Sequence, residues 1–232
     1  MAKADLSDSL ETDSAISVRN KADSDPSSGS PKNSDTLLQI VSILIDPEER
    51  QANSKAPPGV CPALYRFIFR PLCDISIDAE EVEMLWPLAA RLIDSDSGTA
   101  TGQRRAQRFA DWAVREVLPL ALEVNNCQAH AKKLRRLKPI HDRASAAAAE
   151  QAAKIFAGGA QSDSCRRAAR DAAAAAYSAR LWASSAGSAA HYASSAAAHA
   201  SADIGRGKVL EMRTALLDEV CPDPAAGADL LR

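Results

Sequence analysis

The chain has 232 residues, of which 46% are hydrophobic, enough to build a buried core. Only 4% are aromatic, so small and aliphatic side chains must fill most of that core. The 28 basic and 30 acidic residues give a formal net charge of −2, which argues against a globally basic nucleic-acid-binding protein and leaves only a local patch. Ten Gly and twelve Pro exclude collagen-like sequence and disorder along the whole chain.

Cysteine usage and the N-terminal sequence predict a cytoplasmic protein. The N-terminus lacks the basic stretch and following apolar stretch of a secretory signal. No Cys-x-x-Cys pair occurs, so we expect free thiols in a reducing compartment at Cys61, Cys73, Cys127, Cys165 and Cys221. Residues 181–202 carry no Asp, Glu, Lys or Arg, but their six serines and two histidines argue against a transmembrane span.

Residues 1–35 are predicted to form a disordered, mildly acidic tail. They hold nine Ser, seven acidic and four basic residues, and their few apolar side chains are scattered. Such a segment buries too little apolar area to offset the entropy lost on ordering. An apolar run follows at residues 37–45. Its period does not separate helix from strand, although the helical sequence downstream favours a helix.

Residues 36–143 are predicted to form a helical region. Residues 61–69 place Pro62 in the first turn of a helix, where proline is tolerated. Turn and cap residues at 94–102 predict a loop. Apolar positions recur at helical spacing over 103–124. The prolines inside the helical patterns, Pro87 and Pro119, predict that those helices are kinked or end there.

Residues 144–221 are predicted to form an alanine-rich helical hairpin that packs on this region, followed by a flexible C-terminus at 222–232. Alanine occupies 27 of the 59 residues from 144 to 202. Gly158-Gly159 divides the stretch into helices at 144–157 and 163–203. The second begins near Ser162, a good N-cap, and would be about 60 Å long if unbroken. Gly187 is its weak point, and a last helix covers 208–220.

The long helix carries a regular alanine seam. Alanines spaced alternately by four and three residues, as in a coiled coil, occupy positions 172, 176, 179, 183, 186, 190, 193, 197 and 200. Alanine at every seam position lets two helix backbones approach closely. A stripe arising by chance in an alanine-rich segment is the alternative interpretation.

These patterns predict an all-α protein, an irregular helical bundle with one long alanine-rich helix. We expect no enzymatic activity, but protein–protein interaction, assembly or self-association through that helix. Aromatic residues tend to dominate the energy of interfaces. The residues expected at the interface are Tyr177, Trp182, Tyr192, Ala183 and Ala190. Trp112 and Asp111 are expected to hold the fold.

Patterns typical of catalysis and of metal or phosphate binding are incomplete. His199 and Asp203 share a helix face, but no further ligand at metal-site spacing accompanies them. The Gly-x-Gly-Lys run at 205–208 lacks the spacing and the Ser or Thr of a phosphate loop and instead suits a joint between helices. No Gly-x-Ser-x-Gly nucleophile motif occurs. We therefore expect no cofactor and no metal.

A basic segment carries the alternative function, that of a nucleic-acid-associated accessory protein. Residues 132–138 supply five cations suited to phosphate contacts, namely Lys132, Lys133, Arg135, Arg136 and Lys138. No aromatic residue interleaves with them to stack on bases. A solvated helix face is the competing interpretation.

One stretch of the sequence resembles a group of uncharacterised bacterial proteins. The residues that carry the resemblance are the segment 85–93 (LWPLAARLI), the pair Arg104-Arg105 and the segment 110–115 (ADWAVR). In that group an "LLPLIPRL" helix precedes a loop, an arginine pair and an "ADWxVR" helix. The chain departs from the pattern at Ala89-Ala90. The resemblance spans about residues 60–220 and implies a bacterial, helical, soluble protein without an assigned activity.

Overall fold

The computed structural model describes residues 55–69, 91–92, 95–96, 98–160, 162–181 and 185–221, all within the compact unit Pro31–Arg232. Helices dominate this part of the chain and no strand occurs in it, which confirms the predicted all-α bundle. The predictions for the tail at 1–35, the run at 37–45, Pro87, Cys73 and residues 222–232 concern positions outside the described residues.

The helices follow one another with short connections. In chain order they are α1 (Pro62–Phe69), α2 (Thr99–Trp112), a π-helical turn (Ala113–Val117), α3 (Leu118–Val124), α4 (Gln128–Arg135), α5 (Arg143–Gly159), α6 (Asp163–Arg180), α7 (Ala186–Ile204) and α8 (Arg206–Val220).

Local sequence signals set several of these boundaries as predicted. Pro62 is the first residue of α1. The Ser162 side chain accepts a hydrogen bond from the Cys165 backbone N–H and caps α6. Gly205, at φ 89°, separates α7 from α8, so the glycines at 205–207 belong to the predicted joint.

The predicted loop at 94–102 is too long by one helical turn. Helix α2 already begins at Thr99, directly after Gly98, whose φ of 83° is the left-handed conformation that favours glycine. Thr99 and Gly102 are residue types that are common in turns, which favoured a loop in the prediction from the sequence. The packing of α2 against the other helices outweighs that weak local preference.

The helix containing Pro119 widens rather than ends. The Leu118 N–H donates to the Ala113 carbonyl five residues earlier, which makes Ala113–Val117 a π-helical turn. Pro119 follows as the second residue of α3 and has no N–H to donate to the preceding turn. The wide turn therefore carries the chain past the proline and keeps the helical direction from α2 into α3.

The predicted continuous helix over 163–203 is wrong. It ends at Arg180, and α7 begins at Ala186. The two helices form a hairpin and pack against each other more extensively than any other described pair. A single 60 Å helix would leave most of its alanine seam in solvent, whereas folding back buries that seam within one chain.

The alanine seam is accordingly internal. All its described members are buried, namely Ala172, Ala176, Ala179, Ala186, Ala190, Ala193, Ala197 and Ala200. Besides α6, helix α7 packs on α1 and α2, so the bundle of residues 60–125 covers the part of the seam that α5 is too short to reach.

Gly187 has a packing role that the sequence did not show. A Cβ at this position would lie 3.0 Å from Cδ and 3.2 Å from Nε of Arg66 on α1. Glycine thus allows the Arg66 side chain to cross the first turn of α7. The position predicted as a weak point is instead a close contact between helices.

Three of the six buried aromatic side chains among the described residues form one cluster. The Phe67 ring stacks on Phe109 with centroids 4.2 Å apart, and Trp112 meets Phe67 edge-on at 5.4 Å. All three are almost completely buried. They join α1 to α2, so Trp112 holds the fold as expected.

A buried arginine links α8 to this cluster. Arg213 donates from Nη2 to the Ser194 hydroxyl at 2.9 Å, and Ser194 donates to the Phe67 carbonyl at 2.7 Å. The Arg213 guanidinium also lies 5.5 Å from the centre of the Phe67 ring. Sequence periodicity placed only apolar residues on the inner face of α8.

Candidate protein-binding groove

A groove of about 500 Å³ lies between α5 and α6. Small side chains line its less exposed part, namely Ala157, Ala173 and Ala174. Three long exposed side chains border it, namely Lys154, Arg170 and Tyr177. Because alanine projects only a methyl group, another chain that enters this groove can approach both helix backbones closely.

A buried carboxylate organises one side of the groove. Glu150 is 6% exposed and pairs with Lys154 Nζ at 2.5 Å and with Arg180 Nε at 3.4 Å. The Arg180 guanidinium in turn lies 4.8 Å from the centre of the Tyr177 ring. This chain of contacts joins the two helices and restricts the orientation of Tyr177, although the ring remains 44% exposed.

Exposed apolar side chains concentrate on this helix pair. Four large hydrophobic side chains are exposed in the described part of the chain, and three of them belong to α5, to α6 or to the residue after α6. These are Ile155 at 61%, Tyr177 at 44% and Leu181 at 36%, and the fourth is Val124. Of these residues, Tyr177 lines the groove, and an exposed apolar side chain beside a groove is a common feature of interaction surfaces.

The surface around the groove is positively charged. Lys154, Arg170 and Arg180 outnumber Glu150 by two charges. The exposed residues Arg167 and Arg170 form no ion pair with any described residue, whereas Arg166 pairs with Asp163. Arg167 and Arg170 lie on the same exposed side of α6 as Tyr177.

The other expected interface residues have different surroundings. Tyr192 is half-buried and packs against the core, and Ala190 is completely buried. Trp182 and Ala183 lie outside the described residues. Among the residues singled out from the sequence, Tyr177 is therefore the one that the structure places in solvent beside a groove. Glu150, Lys154 and Arg170 were not anticipated, since their proximity depends on the pairing of two helices.

The basic segment lies apart from the groove, on and just after α4. Lys132, Lys133, Arg136 and Lys138 are exposed and form no ion pair with any described residue. Arg135 instead binds Glu123 through two hydrogen bonds, one of them 2.9 Å long. That bonded guanidinium lowers the pKa of the Glu123 carboxyl below its ordinary value.

The residues considered for metal binding separate in the structure. His199 pairs with Asp171 on α6 at 3.4 Å, while Asp203 accepts a hydrogen bond from the Ser164 hydroxyl at 2.8 Å. Burial raises the pKa of the Asp171 carboxyl, and the nearby His199 partly offsets this. Among the described residues, no group of three or more His, Cys, Asp or Glu is arranged to hold a metal ion.

The thiols of the described cysteines are free. Cys165 at the start of α6 is completely buried, and this burial raises the pKa of its thiol to about 11. Nearby Asp203 and Cys127 contribute to this raised pKa. At neutral pH such a thiol is protonated and unreactive, so Cys165 acts as a packing residue of the core.

Comparisons with family models, with curated proteins and with solved structures found no match to this chain. In the part of the chain that the structure covers, no helix is long and apolar enough to cross a membrane.

Proposed function

We propose that this protein is a non-enzymatic interaction protein that binds a partner protein through the α5–α6 groove and the exposed side of α6. The observation that carries the proposal is the exposed Tyr177 side chain beside a groove lined by alanine, on the helix pair that also exposes Ile155 and Leu181. A monomer gains nothing from keeping Ile155, Tyr177 and Leu181 in water, whereas burial of these side chains drives association.

Tyr177 has the properties of an anchor residue. Its ring is large, half-exposed and held by Arg180, so little conformational entropy is lost when a partner covers it. The neighbouring alanines admit a partner backbone close to the ring. The alanine-rich helix thus contributes to binding through its outer side, while its seam stabilises the fold.

Replacing Tyr177 by aspartate is expected to abolish partner binding, because it removes the anchor and places a negative charge in the contact. The measurement is an affinity pull-down from lysate of the source organism, treated with nuclease and read by mass spectrometry. The wild-type chain should retain a stoichiometric protein that the Tyr177→Asp variant loses. A matched control, Ala148→Asp, changes an exposed residue of α5 that is not part of the groove lining and should retain it. Retention of every stoichiometric partner by the Tyr177→Asp variant would contradict the proposal.

A second candidate function, nucleic-acid association through residues 132–138, is supported by four exposed cations of that segment that form no ion pair with any residue the structure describes. Exchanging both Lys133 and Arg136 for glutamate should abolish binding of a single-stranded DNA oligonucleotide. Because phosphate contacts release counterions, the wild-type affinity should fall steeply as salt rises. Fluorescence anisotropy measures both effects. Equal binding by the parent and the double variant would contradict this candidate.

The location of the protein belongs to the same proposal. The free thiols of Cys61, Cys127, Cys165 and Cys221 support a reducing, cytoplasmic compartment. The resemblance to bacterial proteins supports a bacterial source.

A further inference from the structure

We infer that the α5–α6 groove accepts an acidic amphipathic helix from a different protein and not a second copy of this chain. The inference rests on the proposed interaction function and specifies the chemistry of the partner. Three observations carry it, namely the charge around the groove, its shape and the effect of twofold pairing on that charge.

The charge of the groove requires a partner of opposite sign. Glu150 already pairs with two cations, Lys154 and Arg180, so a bound partner does not need to supply a third. Arg170 borders the groove with no ion-pair partner among the described residues, and Arg167 lies one turn away on the same side. Carboxylates of a bound segment would neutralise both guanidinium groups, which form strong paired hydrogen bonds with carboxylates.

The shape of the groove suits a helix. It runs between two packed helices, and its small side chains let a third helix approach at ordinary interhelical distance, about 8–10 Å. The exposed Tyr177 ring provides the apolar contact. A bound helix therefore needs an aliphatic stripe toward the alanines and acidic residues along its flanks.

A second copy of the chain does not meet these requirements. In a twofold dimer the same patch faces itself, so the arginines of one copy would approach those of the other. Asp163 interacts electrostatically with Arg167 and Arg170, but it already forms an ion pair with Arg166, so the three arginines outnumber this one carboxylate. Facing like charges cost binding free energy, so this surface selects against self-association.

The test uses the full chain and two fluorescent synthetic peptides. Both are alanine-based and helix-forming, about 18 residues long, with leucine at alternating three- and four-residue spacing; one carries about four glutamates beside the leucine stripe, the other lysines at the same positions. We expect anisotropy to show binding of the glutamate peptide alone. Raising salt from about 0.05 M to about 0.3 M should weaken the binding. Equal binding of the lysine peptide, or none of the glutamate peptide, would overturn the inference.

Paired variants locate the binding. Exchanging both Arg167 and Arg170 for glutamate should raise the Kd of the glutamate peptide at least about tenfold. The control exchanges Lys132 and Lys133 for glutamate, which changes the net charge equally at two residues that do not line the groove, and should leave the Kd within about twofold. Circular dichroism checks that each variant is folded. Equal weakening by both pairs would show a response to net charge alone and would overturn the inference.

The inference and the proposed function can fail separately. A partner that depends on Tyr177 in the pull-down, together with no binding of the glutamate peptide, would refute the acidic class and leave the interaction function standing. If no partner depends on Tyr177 and the glutamate peptide does not bind, both the proposed function and the acidic partner class are refuted. A wild-type dimer in sedimentation that the Tyr177→Asp variant abolishes would identify a second copy as the occupant and would overturn the inference.

Discussion

Replacing Ala190 by leucine is expected to destabilise the protein by about 2–3 kcal/mol, since three additional carbon atoms must enter a fully buried site. Ala176 on the opposite helix of the hairpin is equally buried. Adding Ala176→Leu to the first change should bring the loss in the free energy of unfolding to about 4 kcal/mol or more, a large part of a typical total. Urea unfolding followed by circular dichroism measures both effects.

The matched control is Ala148→Leu on the exposed side of α5. Leucine and alanine have similar helix propensities, so this variant should unfold within about 0.5 kcal/mol of the wild type. An unchanged urea midpoint for the double variant would show that α6 and α7 are not packed as closely as the structure has them.

Removing the Asp111 side chain is expected to be the second large effect. Asp111 is 6% exposed, and its Oδ1 accepts the Ile140 backbone N–H at 3.0 Å. Its other oxygen pairs with Arg115 at 3.0 Å and lies 3.7 Å from Arg108. Asp111→Ala leaves a buried N–H without its acceptor and removes the carboxylate that pairs with Arg115, whereas Arg108 keeps its ion pairs with Glu116 and Glu219. We expect a loss of about 2–4 kcal/mol in the free energy of unfolding.

Asp111→Asn separates the contribution of the hydrogen bond to Ile140 from that of the negative charge. The amide oxygen can still accept the Ile140 N–H, but the charge is gone, so this variant should be destabilised less, by about 1–2 kcal/mol. Urea unfolding again gives the comparison. Equal stability of the alanine variant and the wild type would contradict the role of Asp111 in holding the connection between α4 and α5 to α2.

Local signals in the sequence were sufficient for much of the fold. Pro62 and Ser162 begin their helices where short-range rules place them, since a proline in a first turn and a serine N-cap act within a few residues. The end of α6 at Arg180 was not predictable in this way. The alanine period continues without a proline from 172 to 200, and the position of the break is decided by packing between distant segments.

The candidate site was likewise predictable from the sequence only in part. The sequence drew attention to Tyr177 because aromatic residues tend to dominate the energy of interfaces. It did not indicate the groove, because Glu150, Arg180 and Tyr177 meet only after α5 and α6 pair. Nor did it separate Arg135 from the other cations of its segment, because the partner of Arg135, Glu123, lies twelve residues away on another helix.

The most direct test of the groove as a protein-binding surface is photo-crosslinking from residue 177. A benzophenone amino acid is placed at Tyr177 in the full chain and, as a control, at Arg206 at the start of α8. After irradiation in cells, we expect one discrete protein adduct from position 177 and none of the same mass from position 206. The Arg167 and Arg170 charge reversal should suppress that adduct. Identical adducts from both positions, or none from position 177, would contradict the account.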